Sequence, residues 1–236
     1  MSVSLNSAPL FSESMIEEEC THVAVNIALA LPNNLDALCR ELNTATSANQ
    51  FSDFGKRDNY PHITLAMGVV AITDVPLLTN DLKTALYETL PLSLSVEELY
   101  RKVSEQIGQE YQLLISRTPE IVTLHEKLME IARRFFRNVS ATKEMVFVND
   151  DNFYDRGTFR NDETWEPNTT HWIDGFKLKK AEDYKPHISL KCRNVDEAVV
   201  QRQLPCEFIA DRIILAYTGN YCSARQIAYE VALGRR

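Results

Sequence analysis

Glycine is scarce in this chain, with seven among 236 residues. No Gly-x-Gly-x-x-Gly run and no Walker-type glycine loop occurs, so a backbone cradle for a dinucleotide or a nucleoside triphosphate is not expected. No Gly-x-Ser-x-Gly elbow presents a nucleophilic serine either. A basic surplus is also missing: 25 Lys and Arg stand against 33 Asp and Glu, a net charge of −8. That balance argues against capture of long duplex nucleic acid or of an acidic membrane surface, and leaves room for a small phosphorylated ligand in a locally basic cleft. The five cysteines (Cys20, Cys39, Cys192, Cys206 and Cys222) are odd in number and show no Cys-x-x-Cys spacing, so neither a disulfide framework nor a zinc knuckle is expected, and a reducing compartment suits them. No apolar run approaches the roughly 18 residues that would span a membrane. Residues 1–19 lack a basic start and an apolar core of signal length and read as a polar tail. The expectation is a soluble, cytoplasmic protein.

What is present is ordinary globular material, 44% hydrophobic and 25% charged, enough for a real core. Residues 22–31 (HVAVNIALAL) have the Val, Ile and Leu content of a strand. Leu35, Leu38 and Leu42 then follow at helical spacing. Residues 60–70 (YPHITLAMGVV) read as a second strand, and Pro76 opens a helix carrying Leu78, Leu82, Ala85 and Leu86. Leu92, Leu94 and Val96 alternate as in a third strand. The second half repeats the order. Residues 111–116 form a strand, and Thr118-Pro119-Glu120 reads as N-cap, first-turn proline and early acid of a long helix reaching residue 136. KPHISLKC is a strand, residues 195–204 a short helix, EFIADRIILAYTG contains another strand, and ARQIAYEVAL is the last one. The fold expected is therefore α+β, a duplicated β-α-β-α-β unit with two antiparallel sheets related by a pseudo-two-fold and helices on the outer faces. Residues 20–236 read as one bilobal domain with halves near 20–104 and 105–236. A long insertion at 138–183, acidic and aromatic, is expected to form a partly structured flap near the site.

One frame occurs twice, Pro-His-Ile-Thr-Leu at 61–65 and Pro-His-Ile-Ser-Leu at 186–190, each on the middle strand of its unit. On a strand, alternate side chains share a face. His62 and Thr64 therefore look one way and Ile63 and Leu65 the other, and His187 and Ser189 repeat the pattern. Brought together across a cleft, two imidazoles make an acid–base pair: a neutral one accepts a proton from water or a sugar hydroxyl, and a protonated one donates to the departing oxygen. The hydroxyls of Thr64 and Ser189 can hold non-bridging phosphate oxygens. Period two also carries the His62 face to Tyr60 and the His187 face to Lys185 and Lys191, candidates for stacking a base and adding positive charge.

These paired motifs resemble the His-x-Thr/Ser signatures of the two-histidine (2H) phosphoesterase superfamily, in the layout of its 2′-5′ RNA ligase-like and cyclic phosphodiesterase branch. The resemblance runs from residue 22 to residue 233 and leaves the long segment after Phe136 outside. It implies a hydrolase that opens 2′,3′-cyclic phosphates or cleaves 2′-5′ linkages or cyclic oligonucleotides, with RNA ligation as a related activity, a small nucleotide or RNA 3′ end as partner, and no cofactor. It also matches His62 to a first-motif proton donor and His187 to a second-motif acceptor.

The other histidines read as structural. His22 has Ala24, not a hydroxyl, two residues on, His125 lies in a helix among Val122, Leu124, Leu128 and Met129, and His171 belongs to the insertion beside Trp172. No metal site is expected, because neither motif contains His-Glu-x-x-His, His-x-His or a carboxylate. A monomer is expected, since a duplicated chain builds a whole cleft by itself. The alternative of a different class is a nucleotide-binding or sequestering module that uses the same cleft without turnover.

Overall fold

The computed structural model describes residues 21–44, 60–104, 108–142, 145–146, 168–190, 195–219 and 222–234. Two four-stranded antiparallel sheets organise them. The first contains β1 (His22–Ala30), β2 (His62–Ala71), β7 (Arg212–Thr218) and β8 (Ala224–Ala232) in the order β2-β1-β7-β8. The second contains β3 (Leu92–Ser104), β4 (Gly108–Ile115), β5 (His187–Leu190) and β6 (Cys206–Ala210) in the order β5-β4-β3-β6. The duplication is visible in this arrangement. Each motif strand is central in its unit of sequence but lies at the edge of its sheet, beside the strand that opens the unit: β2 against β1, and β5 against β4. The later strands cross over, so that β3 pairs with β4 and β7 with β1. Each sheet is thus built from both halves of the sequence.

Residues 206–218 form two strands where the sequence reads as one. β6 pairs with β3 in the second sheet, and β7 pairs with β1 in the first. The chain changes sheet at exposed Asp211, whose carbonyl accepts from the Leu233 amide at 2.7 Å. In the sequence the transfer coincides with Ala210-Asp211, residues of low strand propensity between two β-forming runs.

The back faces of both sheets meet in one core. Val23, Val25, Ile27 and Leu29 of β1 join Leu94 and Val96 of β3, Leu113 and Ile115 of β4, and Ile188 and Leu190 of β5. Helix α1 (Asn33–Thr44) adds Leu35 and Cys39, α2 (Val75–Leu86) adds Leu78, Leu82 and Leu86, and α5 (Glu197–Gln201) adds Val200. Helix α3 (Pro119–Arg133) starts as its sequence indicates, with the Thr118 side chain accepting from the Ile121 amide, Pro119 in the first turn and Glu120 beside it. It ends at Arg133, three residues before the aromatic ring of Phe136. That ring lies over Gly68 of β2, where a Cβ would stand 2.7 Å from it, so only glycine admits the contact. Helix α4 (Asn168–Lys177) is the exception among the described helices: its Ile173 packs against Ala24, Met67 and Val69 on the opposite face of the first sheet.

The change of partner face along β2 comes from a bulge. Thr64 lies opposite Ala28 and Ala66 opposite Ile27, so Leu65 is an extra residue in the ladder. Both Leu65 and Ala66 face the core as a result, and the front face runs His62, Thr64, Met67, Val69. Two consecutive carbonyls at this bulge accept side-chain hydrogen bonds. The Tyr184 hydroxyl donates to Thr64 O at 2.9 Å, and His125 Nδ1 donates to Leu65 O at 2.7 Å. The two donors stack on each other, centroids 4.0 Å apart and nearly parallel. His125, 1% exposed, is therefore an anchor of the first motif strand from behind.

Burial is the main cause that lowers the proton affinity of His125, and the charges of Lys179 and Arg133 push the same way, against the Leu65 carbonyl and Glu126. The unfolded chain, with an ordinary imidazole near 6.5, then binds more protons than the folded one below that pH. Stability should be constant with respect to His125 above about pH 6.5 and fall as pH drops below it. Urea unfolding between pH 8 and pH 5 on wild type and His125→Asn, whose amide nitrogen replaces Nδ1, should show a weaker acid-side loss in the variant. Equal slopes would refute the assignment.

Candidate active site

Each motif begins with proline, and its effect is local. The residue before a proline is held in extended conformation, which here sets the carbonyls of Tyr60 and Lys185. Each carbonyl receives the imidazole two residues later, His62 Nδ1 to Tyr60 O at 2.7 Å and His187 Nδ1 to Lys185 O at 2.9 Å. A carbonyl only accepts, so Nδ1 carries the hydrogen in both rings, and Nε2 is the nitrogen that exchanges protons. The same tautomer is thereby set twice by the same backbone device.

Both rings line one cleft of about 510 Å³, with Thr64 beside His62 and Ser189 beside His187. All four side chains are half-buried. Of the other residues indicated by period two, Tyr60 lines the cleft, with the Arg40 guanidinium 5.8 Å from its ring centroid. Lys185 is exposed and enters through its carbonyl, not its ammonium group. Lys191 lies outside the described residues. From the 138–183 segment, His171, Trp172 and Phe176 on α4 form part of the wall. Among the described residues no group of three or more His, Cys, Asp or Glu side chains is placed to hold a metal ion. None of the described helices is long and apolar enough to cross a membrane.

The structure adds residues that the motif leaves out. Asn26 on β1 is fully buried, and its Nδ2 donates to His62 Nε2 at 2.9 Å and to Thr64 Oγ1 at 3.2 Å. One amide thus holds the imidazole and the hydroxyl of the first motif at a set spacing. Because Thr64 accepts from Asn26, its own hydrogen is directed elsewhere and can serve a ligand oxygen. The Asn26 Oδ1 is buried with no hydrogen-bond partner among the described residues, a cost of about 1–3 kcal/mol that packing alone would not select. A polar residue inside the apolar run HVAVNIALAL is the signal that could have exposed it. In the second sheet Gln112 lies directly opposite Ser189, and Glu110, 7% exposed, two residues further along the same face. Lys102 faces Glu110 across β3 and β4, and both line the cleft.

No family model matches the chain, and no curated protein matches its sequence. Among solved structures it is similar to E. coli LigT complexed with NADP+, at 14% identity and a TM-score of 0.46, over 92% of this chain and 100% of LigT. It is similar to TT0787 of Thermus thermophilus at 13% identity and a TM-score of 0.49, over 89% of this chain and 98% of that one. A third, described as a phosphoesterase, shows 14% identity and a TM-score of 0.46, over 90% and 99% of the two chains.

Replacing Asn26 by aspartate turns the donor at Nε2 into an acceptor and should retain the His62 proton to higher pH, by about one unit or more. Imidazole titration by NMR measures the midpoint directly. In Asn26→Ala, which removes the donor without adding a charge, the upward shift should be smaller than in Asn26→Asp. An unchanged midpoint in Asn26→Asp would show that the amide does not govern the ring.

Proposed function

We propose that the chain is a phosphodiesterase of the 2H type, acting without metal on a small nucleotide or RNA-end phosphodiester. The observation that carries the reading is the pair of imidazoles in one cleft, each with Nδ1 bonded to a backbone carbonyl and a hydroxyl two residues further along the same strand face. A phosphodiester placed between the Nε2 atoms has a base on one side and an acid on the other. The base takes a proton from the attacking water or sugar hydroxyl, and the acid delivers one to the departing sugar oxygen. Thr64 and Ser189 donate to the non-bridging oxygens, where charge builds in the transition state. By the resemblance of the motifs, His62 is the donor and His187 the acceptor; to carry its proton on Nε2, His62 requires the Asn26 amide to turn its oxygen rather than Nδ2 toward the ring. The roles exchange when the reaction runs in reverse, as in ligation.

The substrate classes compatible with this chemistry are 2′,3′-cyclic phosphates, 2′-5′ linkages and cyclic oligonucleotides. The acidic overall charge of −8 favours small substrates or RNA termini over long duplexes.

EDTA-treated protein should hydrolyse one or more members of a panel of 2′,3′-cyclic nucleotides, 2′-5′ oligoadenylate and cyclic dinucleotides, with a bell-shaped dependence of kcat/KM on pH. His62→Ala and His187→Ala should each lower kcat by about 10²–10⁴-fold while leaving thermal unfolding close to wild type. Activity removed by EDTA, or surviving either substitution, would overturn the mechanism. Tight binding without product would favour a sequestering module in the same cleft.

A further inference from the structure

The duplication allows the two sheets to be compared position by position. In the first sheet the residue opposite the motif hydroxyl of Thr64 is Ala28, which packs with Ile214, Ala216 and Ala224. In the second sheet the residue opposite Ser189 is Gln112. Residues directly opposite in an antiparallel pair share a face, with Cβ atoms about 5 Å apart. Gln112 and Ser189 are both half-buried, and both line the cleft. The first sheet draws its amide from a different position, Asn26, and that amide is engaged by His62 and Thr64. The carboxamide of Gln112 and the hydroxyl of Ser189 have no hydrogen-bond partner among the described residues. One amide is thus used within the fold, and the other faces the cleft.

We propose that Gln112 is a third phosphate donor: its Nε2 hydrogen-bonds the non-bridging oxygen that Ser189 also holds, while Thr64 holds the other. The inference rests on the phosphodiesterase reading and adds a substrate-contacting residue that lies in neither motif. A phosphate oxygen only accepts, so the amide turns its nitrogen toward it. The position of Gln112 on β4, next to β5, brings the donor to the oxygen from the strand beside Ser189.

A neutral donor suits this cleft. Lys102 lies directly opposite Glu110, and Lys179 is set against Asp183, so the Lys, Asp and Glu side chains of the described wall balance. No surplus of lysine meets the phosphate charge there. N–H and O–H donors aimed at the oxygens where charge builds act in its place. They are unequally shared. The second sheet offers two donors on adjacent strands, and the first offers Thr64 with only the methyl group of Ala28 opposite it. The two non-bridging oxygens are therefore distinguished, which two identical half-sites would not do.

The test uses the resolved Rp and Sp diastereomers of a nucleoside 2′,3′-cyclic phosphorothioate beside the all-oxygen substrate. Sulfur accepts hydrogen bonds poorly, so it costs more where two donors converge than where one does. The wild type should prefer one diastereomer in kcat/KM by about tenfold. In Gln112→Met, which keeps the length of the side chain and removes the donor, turnover of the oxygen substrate should fall by about tenfold, chiefly in kcat, and the diastereomer ratio should move toward unity. Thermal unfolding close to wild type would show that the variant folds. No preference in the wild type, or an unaltered ratio in Gln112→Met, would overturn the assignment. If the wild type does not turn over the oxygen substrate, the phosphodiesterase reading fails. Calorimetric binding of a nucleoside 3′-monophosphate then decides the role of Gln112: affinity about fivefold weaker in Gln112→Met supports it, and equal affinity or no binding by the wild type overturns it.

Discussion

The hydrogen bond from each motif imidazole to the carbonyl two residues before it underlies the rest of the site. It is short-range, involves only a tripeptide, and chooses one ring nitrogen for chemistry. A histidine with a free choice of tautomer and rotamer would point its lone pair into the cleft only part of the time. Here Tyr60 O and Lys185 O hold Nδ1, and the strand alternation brings Thr64 and Ser189 onto the same face. The proline between carbonyl and histidine removes conformational freedom from the residue that carries the acceptor. That is a physical reason for the frame to begin with proline in both copies.

The bond at residue 60 would be of little use on a mobile edge strand, and β2 is an edge strand. It is held from three directions. Asn26 grips the front, taking His62 and Thr64 together. His125 and Tyr184 grip the bulge from behind through the carbonyls of Leu65 and Thr64. Phe136 lies over Gly68 further along. Tyr184 comes from the segment leading into the second motif, so the approach to one motif strand supports the other. The two copies of the frame are therefore structurally coupled, although their tyrosines serve different ends: Tyr60 lines the cleft, and Tyr184 is buried behind it.

Crossing of the later strands determines what else the cleft contains. Because β3 lies beside β4, Lys102 from the first half faces Glu110 from the second, in the same sheet as His187. Because α4 packs on the front of β2, aromatic residues of the 138–183 segment become a wall of the cleft. Two sheets kept to their own halves of the chain would have built the histidine pair without this mixed surround.

The sequence by itself determined whatever depends on neighbours a few residues away. Strand alternation paired each histidine with a hydroxyl, apolar spacing placed α2, and Thr118-Pro119-Glu120 marked the start of α3. The repeat of the frame in matching positions implied the duplicated fold. Tertiary structure alone decided which residues meet across strands, since hydrogen-bond register and sheet order join positions far apart in the chain and are not encoded in periodicity. Asn26 reaches His62 because β1 and β2 pair with a bulge, and Lys102 and Lys179 line one cleft because β3 crosses to the second sheet and the chain after α4 returns along the wall. Period two placed the side chains of Tyr60 and Lys185 with the histidines equally. Only the folded chain distinguished them: both carbonyls accept from the imidazole two residues on, but the Tyr60 side chain lines the cleft while Lys185 is exposed.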